Sequence, residues 1–222
     1  MSQKPSIAII GGTGALGTGL ARRWALAGYP ITIGSRSAEN ASKSAQELST
    51  LLDERGVTGA IAGAENVEAA RTADIVVLTV PFSQRADMLD RIREAVQGRL
   101  VLDTTAPLVP PRVGTVQLPQ AGSAAVSTQT ALGENVSVVS AFQTVAADKL
   151  QSLEPMDGDV LVCGNKREDC GRIIELVEAT GMRGLYGGPL ANSAASEALT
   201  PVLITINRQF KCQAGIKLVG LK

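Results

Sequence analysis

The stretch Ile7-Ala8-Ile9-Ile10-Gly11-Gly12-Thr13-Gly14-Ala15-Leu16-Gly17 decides the fold. An apolar run ends in glycines and turns directly into the helix-like segment Thr18 to Ala27. Such a turn aims several backbone N–H groups, and the positive end of a helix dipole, at one point where a pyrophosphate sits. In this pattern Gly12 permits the tight turn, Gly14 lets the backbone approach the phosphates without a Cβ, and Gly17 lets the helix pack closely on the strand. Glycines also gather in ordinary turns, so the context carries the weight. A strand before, a helix after and a second strand about 20 residues on are what a dinucleotide-binding βαβ unit requires. Tyr29-Pro30-Ile31-Thr32-Ile33 supplies that second strand.

The tip of the second strand bears on which dinucleotide is bound. An NAD site ends this strand in Asp or Glu, which accepts hydrogen bonds from the ribose hydroxyls, whereas an NADP site puts phosphate-binding groups there. Here it ends Gly34-Ser35-Arg36-Ser37, without a carboxylate. Arg36 offers a planar fork of donors to a 2′-phosphate and Ser35 a hydroxyl. The expectation is NADP(H), the bland alternative being an exposed arginine in a strand-to-helix loop.

Composition narrows the remaining classes. The 222 residues suffice for one sizeable core or for a nucleotide domain with a small companion. Lys plus Arg equals Asp plus Glu at 21 each, which removes the electrostatic case for nucleic acid or an anionic membrane surface. The longest apolar runs, Ile75 to Val80 and Pro201 to Ile206, fall far short of the ~20 residues that cross a bilayer. Met1-Ser2-Gln3-Lys4-Pro5 lacks the apolar core of a signal peptide, so a cytoplasmic protein is expected. Cys163, Cys170 and Cys212 lack C-x-x-C spacing and read as buried small hydrophobes rather than as a disulfide framework or a zinc site. The chain has no histidine. A Ser-His-Asp triad, a His-ligated metal and an imidazole proton shuttle are therefore excluded, whereas hydride transfer between two bound cofactors is not. No residue is assigned as a catalytic group or a metal ligand.

Along the chain, Ala38 to Arg55 reads as a helix, Ile61 marks a short strand, and Asn66 to Arg71 a short helix. Ala73 to Val80 reads as a buried parallel strand ended by Pro81, followed by helix Ser83 to Val96 and strand Leu100 to Asp103. This alternation predicts an α/β fold, a doubly wound parallel Rossmann sheet with its ligand crevice at the carboxyl ends of the strands. Thr79-Val80-Pro81 and Thr104-Thr105-Ala106-Pro107 then face the nicotinamide end, under a loop formed by Pro107 to Gln120. The second part reads as helix Ser123 to Leu132, strand Val136 to Ser140, strand Asp159 to Cys163, helix Cys170 to Thr180, strand Arg183 to Tyr186, helix Asn192 to Phe210 and a last strand at Gly215 to Val219. Residues 1–134 are expected to form the NADP-binding Rossmann domain and residues 135–222 a smaller C-terminal part, which the family resemblance described next implies to be acceptor-binding. Asp103 reads as the cap of the following turn, and Met156, Met182 and Trp24 as packing residues. Glu197 reads either as facing the crevice or as solvating its helix.

With these segments in place the sequence resembles the NADPH-dependent coenzyme F420 reductases, over nearly the whole chain. The resemblance rests on the glycine turn, Gly34-Ser35-Arg36, Val77-Leu78-Thr79-Val80-Pro81, Ser140-Ala141-Phe142-Gln143-Thr144 and Val162-Cys163-Gly164. It rests most on Gly188-Pro189-Leu190-Ala191-Asn192-Ser193 with Glu197-Ala198-Leu199-Thr200-Pro201, since phosphate binding does not require those. The resemblance implies an N-terminal Rossmann domain for NADP(H) and a C-terminal part that helps hold the deazaflavin over the nicotinamide. It implies Thr13, Gly14, Ala15 and Leu16 at the pyrophosphate, Ser35 and Arg36 at the 2′-phosphate, and Val80 near the nicotinamide, with Val109 and Ala147 as looser carry-overs. Asn40 stands where the family often has a basic residue, and Gln143 and Gln84 where it often has histidine. A small-molecule redox acceptor and a homo-oligomer are the expected partners. Two other readings fit the turn: an NADPH-dependent reductase of a flavin, ferric chelate or imine, and a non-catalytic NADP(H) sensor, for which Gly11, Gly14 and Gly17 match a G-x-x-G-x-x-G spacing. Neither Tyr29 nor Tyr186 has a lysine four positions on, so the acid/base pair of short-chain dehydrogenases is missing.

Overall fold

The computed structural model describes residues 4–221, so Met1-Ser2-Gln3 of the N-terminal reading lies outside the described residues. In chain order the first half runs β1 (Ile7–Ile10), α1 (Ala15–Leu26), β2 (Ile31–Ser35), α2 (Ala38–Glu54), β3 (Ile61–Glu65), α3 (Asn66–Thr72), β4 (Ile75–Leu78), α4 (Phe82–Ile92) and β5 (Leu100–Asp103). After a long irregular segment come α5 (Ala124–Leu132), β6 (Ser137–Ser140), α6 (Ala147–Gln151), β7 (Asp159–Gly164), α7 (Arg167–Glu178) and β8 (Arg183–Gly188). A 3-10 turn over Leu190–Asn192 then leads into α8 (Ser193–Phe210).

The eight strands form one sheet in the order β3-β2-β1-β4-β5-β6-β7-β8, an α/β Rossmann-like architecture. Successive side chains of a strand point to opposite faces, and a parallel strand is buried on both. Ile7 and Ile9 of β1, Ile75 and Val77 of β4, and Leu100 and Leu102 of β5 therefore join Leu20 and Trp24 of α1, Leu48 of α2 and Ile173 of α7 on one face. Ala8, Ile10, Val76, Leu78 and Val101 meet Ala69 of α3, Met88 and Leu89 of α4, and Ala125 of α5 on the other. Trp24 is the keystone of the first core: fully buried, it donates its indole N–H to the Leu176 carbonyl at 2.8 Å and meets the Phe142 ring edge-on, with centroids 6.0 Å apart. The chain crosses from the β2 side of β1 to β4 on the other, and such a switch point opens a crevice at the carboxyl ends of the strands.

The structure departs from the sequence expectations at several places. The sheet is not parallel throughout, because β7 runs antiparallel to β6, pairing Ser140 with Cys163. A parallel neighbour needs a crossover that carries the chain back across a face. The only helix between β6 and β7 is α6, five residues long, and it lies against α1 instead. Fully buried Leu150 of α6 sits so close that a Cβ on Gly19 of α1 would come within 2.7 Å of it. Short α6 was not anticipated, since one buried leucine leaves no readable period. Gly215 to Val219 is no strand. It forms an irregular strap whose Ile216 carbonyl accepts from the Asp159 N–H at 2.9 Å, while the Asp159 carboxylate takes the Leu218 N–H at 2.6 Å. Boundaries shift too: β2 begins at Ile31 and reaches Ser35, and β3 runs to Glu65. Cys163 and Cys170 are buried as expected, whereas Cys212 is exposed beyond the end of α8. No helix among the described residues is long and apolar enough to cross a membrane.

Candidate nucleotide and acceptor site

The glycine turn shows what each glycine is for. Gly12 lies under the turn, where a Cβ would stand 2.6 Å from the Ile9 carbonyl oxygen. Gly17 faces Gly12 across the start of α1, and a Cβ there would stand 2.6 Å from the Gly12 Cα. Both are demanded by the packing of the protein itself. Gly14 differs: it is the N-cap of α1 with an ordinary extended backbone, and its Cβ would meet only the Gly11 carbonyl oxygen, at 3.6 Å. The protein leaves that space open on the side where a ligand approaches. No side chain caps α1 and no acid stands in its first turn, so its leading N–H groups and its dipole are free to receive an anion.

Around this turn lies a cavity of about 620 Å³. Thr13, Gly14, Ala15 and Leu16 form its base, with Ser35 and Arg36 from the tip of β2 at one end and Thr79, Val80 and Pro81 from the tip of β4 at the other. The order β2-β1-β4 fixes that arrangement. Arg36 is exposed and makes no ion pair among the described residues. Its neighbour Ser37 caps α2 by accepting the Asn40 N–H, which brings Asn40 to the same rim. Thr79 donates its hydroxyl to the Ile10 carbonyl at 2.9 Å and so locks the tip of β4 to the start of the turn. Val109 and Ala147 stand away from this cavity: Val109 is 41% exposed in the irregular segment after β5, and Ala147 opens α6.

Two lining residues, Asn66 and Met88, escaped the sequence reading, and Gly11 was read only as part of the turn. Gly11 has a left-handed backbone, φ +74, and gives its N–H to the side-chain oxygen of Asn66 at 3.1 Å. Asn66 is buried and holds the turn from the start of α3, 55 residues away, a link with no local signature. Met88, one turn after Gln84 on α4, completes the wall.

A second, smaller cavity of about 80 Å³ lies between the turn after β6 and α8, lined by Gln143, Thr144, Val145, Thr200, Leu203 and Ile204 among others. Phe142 makes this turn with φ +74, a conformation that costs a non-glycine residue about 1–3 kcal/mol and persists because its ring is buried against Trp24. The turn drives Gln143 inward. Its amide nitrogen donates to the Asp103 carbonyl and to the Ser140 hydroxyl, both at 2.9 Å, so its oxygen is left without a donor among the described residues. The Thr200 hydroxyl donates to the Gln143 carbonyl at 2.9 Å and ties α8 to the same turn. Since Asp103 ends β5, beside β4, both cavities open from the carboxyl edge of the sheet.

Beneath them runs a buried polar network. Arg85 of α4 donates to the Thr128 hydroxyl at 2.6 Å, and that hydroxyl donates to Asp103, also at 2.6 Å. Asp103 also accepts the Thr105 N–H, the turn-capping role expected of it. Glu197 takes neither of its two expected positions. It is fully buried and accepts the N–H groups of Ala124 and Ala125, at 2.6 and 3.1 Å, across the start of α5. Burial pushes its carboxyl up to about 7, against the pull of those two N–H groups and with a further push from Asp103. Burial likewise pushes the Cys163 thiol up to about 11, which makes it unreactive. No cluster of three or more His, Cys, Asp or Glu among the described residues is arranged to hold a metal ion.

Comparison with known proteins bears on the family and the fold. Residues 6–107 match the family described as NADP oxidoreductase coenzyme F420-dependent. The F420-dependent NADP reductase of Methanocaldococcus jannaschii is 37% identical, over 97% of this chain and 99% of the relative. That of Methanothermobacter thermautotrophicus is 35% identical, over 97% of this chain and 95% of the relative. A crystal structure from Arthrobacter sp. FB24, of a candidate F420-dependent NADP reductase, shares the fold with a TM-score of 0.77 at 22% identity, covering 97% of this chain and 99% of that one. Full-length similarity at this level extends through the second half of the chain, where the glycine turn has no say, and the chain belongs to the F420-dependent NADP reductase family.

Proposed function

We propose that the protein transfers a hydride between NADP(H) and coenzyme F420. The observation that carries this reading is the near full-length similarity to F420-dependent NADP reductases at 33–37% identity, which includes the α8 region absent from a generic nucleotide fold. NADP(H) occupies the larger cavity. Thr13, Gly14, Ala15 and Leu16 present backbone to the pyrophosphate, with Gly12 and Gly17 shaping the turn, Ser35 and Arg36 take the 2′-phosphate, and Thr79, Val80 and Pro81 border the nicotinamide. The open space at Gly14, the uncapped start of α1 and the unpaired Arg36 fit an anionic dinucleotide. Within this division of labour residues 1–134 hold the nucleotide, and residues 135–222 hold the deazaflavin beside Gln143 and α8.

The chemistry asks little of the side chains. Hydride passes from the nicotinamide ring to the deazaflavin ring when the two lie face to face, and alignment of this type supplies about 7–11 kcal/mol of a barrier. The chain's own part is to fix both rings and to exclude water, in keeping with a sequence that has no histidine. The same reading carries a cytoplasmic location and a homo-oligomeric assembly. The exposed apolar side chains of Val202 and Phe210 on α8, with Leu218 and Val219 after it, support a subunit contact, which light scattering tests. The activity is tested by following NADPH oxidation with coenzyme F420, FMN or a ferric chelate. Turnover with coenzyme F420 above the other two is expected, and turnover with FMN or iron but none with coenzyme F420 would reject the assignment.

A further inference from the structure

Charge is spread unevenly along this chain. Residues 104–133 and 198–222 hold no Asp or Glu, although the whole chain carries 21. The fold brings these two acid-free segments together. The Thr205 hydroxyl of α8 donates to the Gly114 carbonyl at 3.4 Å, and the Arg208 guanidinium lies beside Gly114, its Nη1 3.9 Å from where a Cβ on that glycine would stand. Arg112, two residues before Gly114, is exposed on the same irregular segment. Thr200, Leu203, Ile204 and Asn207 give α8 the face that walls the smaller cavity. At about 3.6 residues per turn, Arg208 and Lys211 continue that face, roughly 6 and 10 Å past Ile204 along the helix axis. Both are exposed. None of Arg112, Arg208 and Lys211 makes an ion pair among the described residues. The acids that the strap after α8 meets are engaged by other groups: Asp157 by Lys217 at 2.7 Å, Asp159 by Arg183 at 2.8 Å, and Asp148 by the Gln213 amide at 3.1 Å.

We propose that Arg112, Arg208 and Lys211 form a binding site for the anionic tail of the acceptor, on the rim outside the cavity that receives its ring. The identity of the ligand rests on the hydride-transfer function proposed above, whereas the cationic rim does not. Coenzyme F420 carries its deazaflavin on a side chain with a phosphodiester and glutamyl carboxylates, and those charges need partners once the ring is seated. A cation without an acid beside it keeps its field for a ligand, and the planar fork of arginine suits both phosphate and carboxylate oxygens. The phosphates of the dinucleotide are served elsewhere: the larger cavity, with the start of α1 and Arg36, is lined by no residue of either acid-free segment. Exposed charge pairs are weak singly, so three must act on one polyanion to matter. Being exposed, they are also screened by salt.

Titration of deazaflavin fluorescence reads the tail directly, with oxidised NADP held at saturation so that no hydride can pass. Two ligands are compared: coenzyme F420, and the same deazaflavin cut back to its ribityl alcohol, which has neither phosphate nor glutamate. Each exposed cation is expected to add roughly 2- to 5-fold in affinity for the tail. The parent should therefore bind coenzyme F420 about tenfold or more tighter than the tail-free ligand at low salt. That ratio should fall toward one in 1 M salt, where the Debye length is about 3 Å. Arg112→Gln, Arg208→Gln and Lys211→Gln should each lower the ratio by their share, and the triple variant should bring it near one, while the Kd of the tail-free ligand moves less than about twofold. Arg55→Gln removes an exposed cation at the end of α2 and should leave the ratio as it is, which separates the rim from net charge. A ratio near one in the parent, a ratio that survives the triple variant, or no binding of either ligand overturns the proposal. A ratio lost in the triple variant, with no turnover of coenzyme F420 by the parent, would keep the anion site and reject the function. Turnover of coenzyme F420 with a ratio of one would keep the function and overturn the site.

Discussion

Substitution of Gly14 by valine separates ligand from scaffold. A Cβ at Gly14 meets only the Gly11 carbonyl oxygen, at 3.6 Å, an ordinary contact, and the backbone there, φ −77 and ψ 165, suits any L residue. Valine is a poorer N-cap than glycine, so the ligand-free protein should lose no more than about 1 kcal/mol. For a chain of 222 residues that lowers the melting temperature by about 2–4 °C. The ligand-bound state is another matter. NADPH at a hundred times its Kd stabilises the parent by about 2.7 kcal/mol, or roughly 5–11 °C, and the branched side chain should abolish that rise by filling the pyrophosphate's place. Melting curves with and without NADPH give both numbers at once. Gly12→Ala and Gly17→Ala are the contrasting controls, because their Cβ atoms strike backbone at 2.6 Å and should destabilise the protein before any ligand is added. A Gly14→Val protein that folds and is still stabilised by NADPH would put the phosphates elsewhere.

Arg36→Ala should weaken NADPH binding by about 1.5–3 kcal/mol, roughly 10- to 150-fold, and leave NADH binding nearly unchanged; titration of both cofactors checks it, and equal loss for the two would remove the 2′-phosphate from this residue. NADPH deuterated on the transferred face should pass deuterium to the acceptor carbon without exchange into water, read by mass spectrometry; loss of label to solvent would contradict direct hydride transfer. Thr128→Val should destabilise by about 1–3 kcal/mol, because it strips the hydroxyl that links buried Arg85 to Asp103, and urea unfolding measures it. Arg183 and the Leu218 N–H hold the Asp159 carboxyl below its ordinary value of 3.8. Its contribution is therefore present above pH 3.8 and fades as pH falls through the lower folded value. Asp159→Asn should lower the melting temperature at pH 7, and the loss should shrink as the pH is taken below 3.8; a loss that does not change with pH would break that link.

The first half of the fold was legible because its determinants are local. Branched apolar runs such as Ile7 to Ile10 and Ile75 to Leu78 announce strands, and glycines at Gly12 and Gly17 announce a helix packed hard against a turn. Arg36 stood out because a strand tip has few positions to read. What stayed hidden depends on distant partners. Asn66 holds Gly11 across 55 residues, and nothing near it in sequence requires an asparagine. Glu197, three positions before Thr200, looks like any charge on a helix until α5 is brought against it, 72 residues away for Ala125. The antiparallel β7 was hidden for a related reason: strand direction depends on what the intervening chain does, and α6 is too short to show its hand.

The strained turn at Phe142 ties these parts together. A non-glycine residue at φ +74 needs enclosing structure to hold it, and here Trp24 of the first helix encloses the ring. That helix is also the one whose uncapped start faces the larger cavity. The strain aims Gln143 at the end of β5, where its amide nitrogen is fully engaged and its buried oxygen has no donor among the described residues. Thr200 then carries the position of this turn to α8, and Glu197 carries it on to α5. The wall of the smaller cavity is thereby set from two sides by hydrogen bonds rather than by a loose loop. Hydride transfer rewards that construction, since a displacement of about 1 Å between reacting atoms costs on the order of a hundredfold in rate. A chain without histidine can meet this demand with glycines, amides and hydroxyls, because the reaction needs two rings held still rather than a proton delivered.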